Sequence, residues 1–92
     1  MNEIIRMEFH FYGRVQGVGF RYKLSHLARG CSVCGWVRNE YDGSVTAQFQ
    51  GREGQMDEIL RLLMQDRYID IREIRKKSIP LEEGEQGFQI CY

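Results

Sequence analysis

The 92-residue sequence predicts an α+β two-layer sandwich, an antiparallel sheet with two helices on one face. Three observations predict it. Apolar residues alternate with polar ones at both ends of the chain and in the middle, the period of a half-buried strand. Two intervening stretches switch to helical spacing. Among the turn signals, only one is a tight hairpin turn.

The elements follow in order. Met7, Phe9 and Phe11 alternate with Glu8, His10 and Tyr12, giving a first strand. Phe20, Leu24, Leu27, Ala28 and Cys31 then recur at i, i+4, i+7, i+8 and i+11, one stripe of a helix, with Gly30 as its stop signal. Val33 to Asn39 and Ser44 to Gln50 read as two strands joined through Asp42-Gly43, where glycine supplies the positive φ of a tight turn. Met56, Ile59, Leu60, Leu63 and Met64 form the stripe of a second helix, with both methionines assigned to the core. Tyr68 to Ser78 is β-rich, and its alternation slips at Arg72-Glu73, the mark of a bulge or a strand end. Pro80 to Gln86 is a polar loop, and Phe88, Ile90 and Tyr92 supply a last edge or return strand. The order βαββαβ is the ferredoxin-like arrangement, whose second sheet face would be solvated. Thr46, Gln48 and Gln50 suit that face. A chain of this length is expected to be one domain, residues 1–92.

Composition narrows the function. Thirteen basic residues balance thirteen acidic ones, which argues against a nucleic-acid binder or a polybasic membrane anchor. No apolar run is long enough to span a bilayer, and the N-terminal stretch Met1 to Arg6 lacks the apolar segment of a secretory leader. Three cysteines, an odd number, fit reduced thiols, so a cytoplasmic location is expected. Cys31 and Cys34 form a CxxC, but Cys31 falls on the apolar stripe of the helix, and unpaired thiols are expected there rather than a metal. His10 and His26 are expected at the surface.

The stretch Gly13-Arg14-Val15-Gln16-Gly17-Val18-Gly19-Phe20-Arg21 carries the chemistry. It lacks the Lys-Ser/Thr ending of a P-loop and the third glycine of a dinucleotide fingerprint. What remains is a strand, a glycine bend and an arginine in the first turn of a helix. The opening amides of a helix have no intrahelical partner, and glycines let neighbouring amides converge. The backbone donors of Gln16, Gly17, Val18, Gly19 and Phe20 could therefore wrap one tetrahedral anion, with the planar fork of Arg21 on two of its oxygens. Gly35-Trp36-Val37-Arg38-Asn39 ends the second strand, next to the first or very near it. The carboxamide of Asn39 can both donate and accept, so it could hold a water against such an anion. Taken alone, the asparagine reads more simply as a turn residue.

Together these two motifs resemble the acylphosphatase family, in the right order and at the right distance. The resemblance continues through Asp42-Gly43-Ser44-Val45 and Gln50-Gly51 to Gly87-Phe88-Gln89-Ile90. It implies hydrolysis of the carboxyl–phosphate bond of acyl phosphates, with Arg21 binding the phosphoryl group, Asn39 orienting the attacking water, and no metal or organic cofactor. The implied partners are a small acyl phosphate and inorganic phosphate; from the charge balance no nucleic acid and no membrane is expected, and a monomer is expected.

The absence of a poised acid or base in either motif agrees with this chemistry. A carboxylate leaving group has a conjugate acid of pKa about 4.3 if it behaves like a glutamate side chain. It departs without a proton, and a loose transition state asks mainly for positioning and charge. Two rival functions are an RNA-binding sheet and a catalytically silent interaction domain. The first lacks a basic-aromatic third strand, and the second would release no phosphate. The chain departs from the family pattern in the connection Arg29-Gly30-Cys31-Ser32-Val33-Cys34, which has cysteines and a serine where Leu-Gly-Leu and a small polar residue are usual. It departs again at Gln65 to Ile69, which lacks a Gly-Pro-rich loop, and at Ile90-Cys91-Tyr92, where a basic residue commonly precedes the tyrosine.

Overall fold

The computed structural model describes residues 3–92; Met1 and Asn2, part of the stretch read for a leader, lie outside the described residues. Strand β1 (Ile5–Arg14) leads through the glycine bend into helix α1 (Phe20–Gly30). Strands β2 (Cys34–Asn39) and β3 (Val45–Gly51) form the hairpin, helix α2 (Glu53–Met64) follows, and β4 (Asp70–Ile79) and β5 (Phe88–Cys91) complete the sheet. The strand order is β4-β1-β3-β2-β5.

The expected antiparallel sheet is corrected at one edge. The β1–β3, β1–β4 and β2–β3 pairs are antiparallel, but β2 and β5 run parallel, so the five-stranded sheet is mixed. Topology dictates this. β4 ends at the end of the sheet where β1 and β2 begin, and the chain crosses to the far edge there. β5 must then run in the direction of β2. The second strand is also one place removed from the first, because β3 lies between them. In the β1–β4 ladder Tyr12 pairs with Glu73 and Gly13 with Ile71, so Arg72 is the extra residue of a bulge where the sequence period slipped.

Alternation places Phe9, Phe11, Val37, Val45, Ala47, Phe49 and Phe88 under the helices, all buried. From α1 come Phe20, Leu24 and Ala28, and from α2 come Met56, Ile59 and Leu63. Met64 corrects the expectation of a core methionine: the stripe drifts past the last turn, and it is 57% exposed. All five phenylalanines join in one file of ring contacts, Phe88 to Phe49 at 5.7 Å, Phe49 to Phe9 at 5.2 Å, Phe9 to Phe11 at 5.9 Å and Phe11 to Phe20 at 5.1 Å. Each buries a large apolar surface, so the first residue of α1 is pinned to the middle of the sheet.

Helix α1 ends in a Schellman turn. Val33 N–H donates to Ala28 O at 2.9 Å and Ser32 N–H to Arg29 O at 3.2 Å. The left-handed residue of that turn is Ser32, at φ 60°, rather than Gly30.

The second sheet face is polar, but it is less solvated than its residues suggest. The loop between β4 and β5 lies over it. Arg6, 2% exposed, donates to Glu85 at 2.8 and 3.2 Å and to the side-chain oxygens of Gln48 and Gln50. Gln50 also binds the loop backbone at Glu82 through both ends of its carboxamide.

Candidate active site

A cleft of about 230 Å³ opens where the bend after β1, the start of α1 and the ends of β2 and β5 meet. The bend contributes Val15, Gly17 and Gly19, the first turn of α1 contributes Phe20, Arg21 and Tyr22, and Asn39 enters from the end of β2. Ile90 and Tyr92, at the far end of the chain, form the rim.

Each of these residues has a local reason for its place. Gly17 and Gly19 sit at φ 73° and 77°, and a Cβ would meet nothing within 4 Å at either. Conformation, rather than crowding, calls for glycine here. Gly19 is the N-cap of α1, and the first helical bond runs from Lys23 N–H to Gly19 O at 3.0 Å. The amides of Phe20, Arg21 and Tyr22 come before that ladder. No side chain caps this helix start and no acidic residue lies in its first turn. The positive end of α1 is therefore uncompensated by the residues of its own first turn.

Phe20 faces the core, which turns Arg21 to the cleft. The guanidinium lies 5.0 Å from the centre of the Tyr92 ring, and one Nη makes a long 3.5 Å contact with Cys91 O. Asn39 shares the helix-side phase of Gly35 and Val37, two residues beyond Val37 and opposite Val45. Its Oδ1 is buried and has no hydrogen-bond partner among the described residues. A buried acceptor left open in this way costs stability, and such atoms concentrate where a ligand completes them.

The other residues of the bend are placed differently. The side chain of Gln16 turns away from the cleft, and its Nε2 donates to Glu40 O at 2.8 Å and to Ser44 O at 2.9 Å. Val18 packs against the core. Glu40, beside Asn39 in sequence, lies outside the cleft with Arg38. The Thr46 hydroxyl and the Arg38 guanidinium hold its carboxyl below the usual glutamate range.

Sequence reasoning brought Arg21, Asn39 and the glycines to one place. It missed the side-chain role of Gln16 and the contribution of Tyr22, Ile90 and Tyr92. The alternation of Phe88, Ile90 and Tyr92 was a signal for a strand but carried no sign of its neighbour across the sheet.

Cys31 packs against the core on the helix side, whereas Cys34 faces the opposite side of the sheet with Trp36. The CxxC therefore does not bring its two thiols together. Among the described residues no cluster of three or more His, Cys, Asp or Glu side chains could hold a metal ion. No helix among them is long and apolar enough to cross a membrane.

Fold and cleft together define a small α+β protein with an uncapped helix start and a strand-end asparagine on one cleft. The acylphosphatase family profile matches residues 7–90. An acylphosphatase of Clostridium acetobutylicum is 38% identical over 81 residues, covering 87% of this chain and 89% of its own length. One from Thermococcus kodakarensis is 35% identical over 88 residues, covering 94% of each chain. The crystal structure of acylphosphatase from Bacillus subtilis superimposes with a TM-score of 0.86 at 28% identity, over 98% of this chain and 100% of that one. The chain belongs to the acylphosphatase family.

Proposed function

We propose that the protein hydrolyses the carboxyl–phosphate bond of acyl phosphates, releasing a carboxylate and inorganic phosphate. Family membership makes it a hydrolase acting on acyl phosphates. In this reading the phosphoryl group is held by Arg21 and the amides of the bend from Gln16 to Phe20, and Asn39 orients the attacking water. One observation carries it: the glycine bend, the uncapped helix start, Arg21 and Asn39, whose buried Oδ1 has no hydrogen-bond partner among the described residues, all belong to the same 230 Å³ cleft.

The chemistry follows from that arrangement. Water donates one O–H to Asn39 Oδ1, which leaves a lone pair free to face phosphorus. Amides and guanidinium take up the charge that develops on the phosphoryl oxygens. The carboxylate leaves as an anion, and the proton shed by the water passes to a phosphoryl oxygen. The fork geometry of Arg21 is what the transition state uses, so lysine is a poor substitute.

The test is hydrolysis of a small acyl phosphate by the parent protein and three variants. Arg21→Ala loses phosphate affinity and most turnover, and Arg21→Lys does not restore them. Asn39→Ala keeps its circular dichroism and loses kcat by about 10²–10³-fold, the scale of a lost catalytic donor. Inorganic phosphate inhibits competitively in the parent. Turnover by Asn39→Ala at the parent rate rules out the water-orienting role.

A further inference from the structure

We propose that the Gln16 side chain is a positioning residue that sets the gap between the phosphoryl seat and Asn39. The proposal rests on the reading of the site given above. It concerns a side chain that touches neither the bound phosphate nor the water.

The geometry is direct. A primary carboxamide carries two N–H donors on one nitrogen. Gln16 spends that nitrogen on two backbone carbonyls of the β2–β3 turn, Glu40 O at 2.8 Å and Ser44 O at 2.9 Å. Those two residues are already joined, Glu40 N–H to Ser44 O at 2.8 Å. The turn beyond them is fastened by Asp42, whose Oδ1 accepts from Ser44 N–H at 3.0 Å and from Ser44 Oγ at 2.6 Å. Gln16 thus grips a rigid turn at its base. On one strand the grip lies one residue past Asn39, and on the other one residue before Val45, its partner in the ladder.

The other end of the grip is equally fixed. Val15, on one side of Gln16, is buried, and Gly17, on the other, lines the cleft. The donors that would hold phosphate are Arg21 and main-chain amides, none of which depends on the Gln16 side chain. Removing that side chain therefore leaves the seat intact and frees the hairpin end that carries Asn39. The loss falls on the water rather than on the anion. An aliphatic side chain of the same length cannot replace it, and a glutamate would set a carboxylate against two carbonyls.

The test is a double-mutant cycle of Gln16→Met and Asn39→Ala, read as kcat for a small acyl phosphate and Ki for inorganic phosphate. Gln16→Met lowers kcat about ten- to a hundredfold, the cost of misplacing a reacting group by a fraction of an ångström to an ångström, while Ki changes little. In the Asn39→Ala background the same substitution leaves kcat nearly unchanged, because there is no longer an asparagine to position. An equal loss of kcat in both backgrounds overturns the proposal, as does a rise in Ki matching the fall in kcat. If Asn39→Ala alone retains the parent kcat, the site reading fails and this one with it. If Asn39→Ala loses kcat and Gln16→Met does not, only this proposal falls. Should Gln16→Met not fold, side-chain amide exchange by NMR on the unsubstituted protein decides. Gln16 carboxamide protons exchange much more slowly than those of an exposed glutamine, and exchange at the exposed rate overturns the clamp.

Discussion

Ser32 is a non-glycine residue held in the left-handed region by a Schellman turn. An L-residue pays about 1 kcal/mol for that conformation, which glycine adopts freely. Ser32→Gly should therefore raise stability by about 0.5–1 kcal/mol in urea unfolding, with kcat unchanged. A neutral or destabilising result would mean that the serine side chain compensates its own backbone. At this scale the sequence was most legible for residues whose type alone restricts their chemistry. Glycines in a bend, an arginine one residue into a helix and a strand-end asparagine announce themselves. Gln16 did not, because its partners are main-chain carbonyls 24 and 28 positions away, and carbonyls have no sequence signature.

Among the elements, β5 depends most on contacts from afar. It pairs with β2 alone, over four rungs, and forms the edge of the sheet. The loop that delivers it is fastened to the polar sheet face by Arg6 and Glu85, 79 positions apart. Glu85→Ala strands a buried guanidinium with only two glutamine acceptors. It should cost about 2–3 kcal/mol of unfolding free energy, more than a surface ion pair contributes. A loss below about 0.5 kcal/mol would show that Gln48 and Gln50 suffice to satisfy Arg6. Strand limits were readable to within a residue or two from period alone, including the slip that became the Arg72 bulge, whereas α2 begins at Glu53, three residues before the first apolar position of its stripe. The parallel sense of β5 was not, since direction depends on where β4 lets the chain go. Nor was the burial of Arg6 and Thr46, because a polar residue at an alternate position looks solvated until its neighbours are placed, the β4–β5 loop over Arg6 and the side chains of His10 and Glu40 beside Thr46.

For the whole molecule, the charge pattern makes acid the sensitive direction. Glu8 is held below the usual carboxylate range chiefly by the hydrogen bond from Gln48, aided by His10 and Lys77. Glu40, Asp42 and Asp66 are lowered as well, the last two mainly by hydrogen bonds from Ser44 and Lys23. A carboxylate with a depressed folded-state pKa contributes stability above its ordinary value, about 4, and loses it as pH falls through the depressed one. Stability should thus be level near neutrality and fall below about pH 4–5. Glu8→Gln should be less stable at pH 7 and show a shallower decline in acid. Thermal melts from pH 7 to pH 3 check this, and an unchanged slope in Glu8→Gln would remove Glu8 from the account. The balance of 13 basic and 13 acidic residues could not reveal it, because net charge is silent on who neighbours whom.

The file of phenylalanine rings, from Phe88 to Phe20, gives the order of assembly a meaning. A ribosome delivers four of the five rings with β1, α1 and the hairpin, so the glycine bend and Asn39 can gather before α2 adds Met56, Ile59 and Leu63 to the core. The last ring arrives with β5, after the longest loop to be closed in the fold. A nascent chain would hold the glycine bend and Asn39 before the rim of their cleft, and the final strand is the lip added last to the vessel.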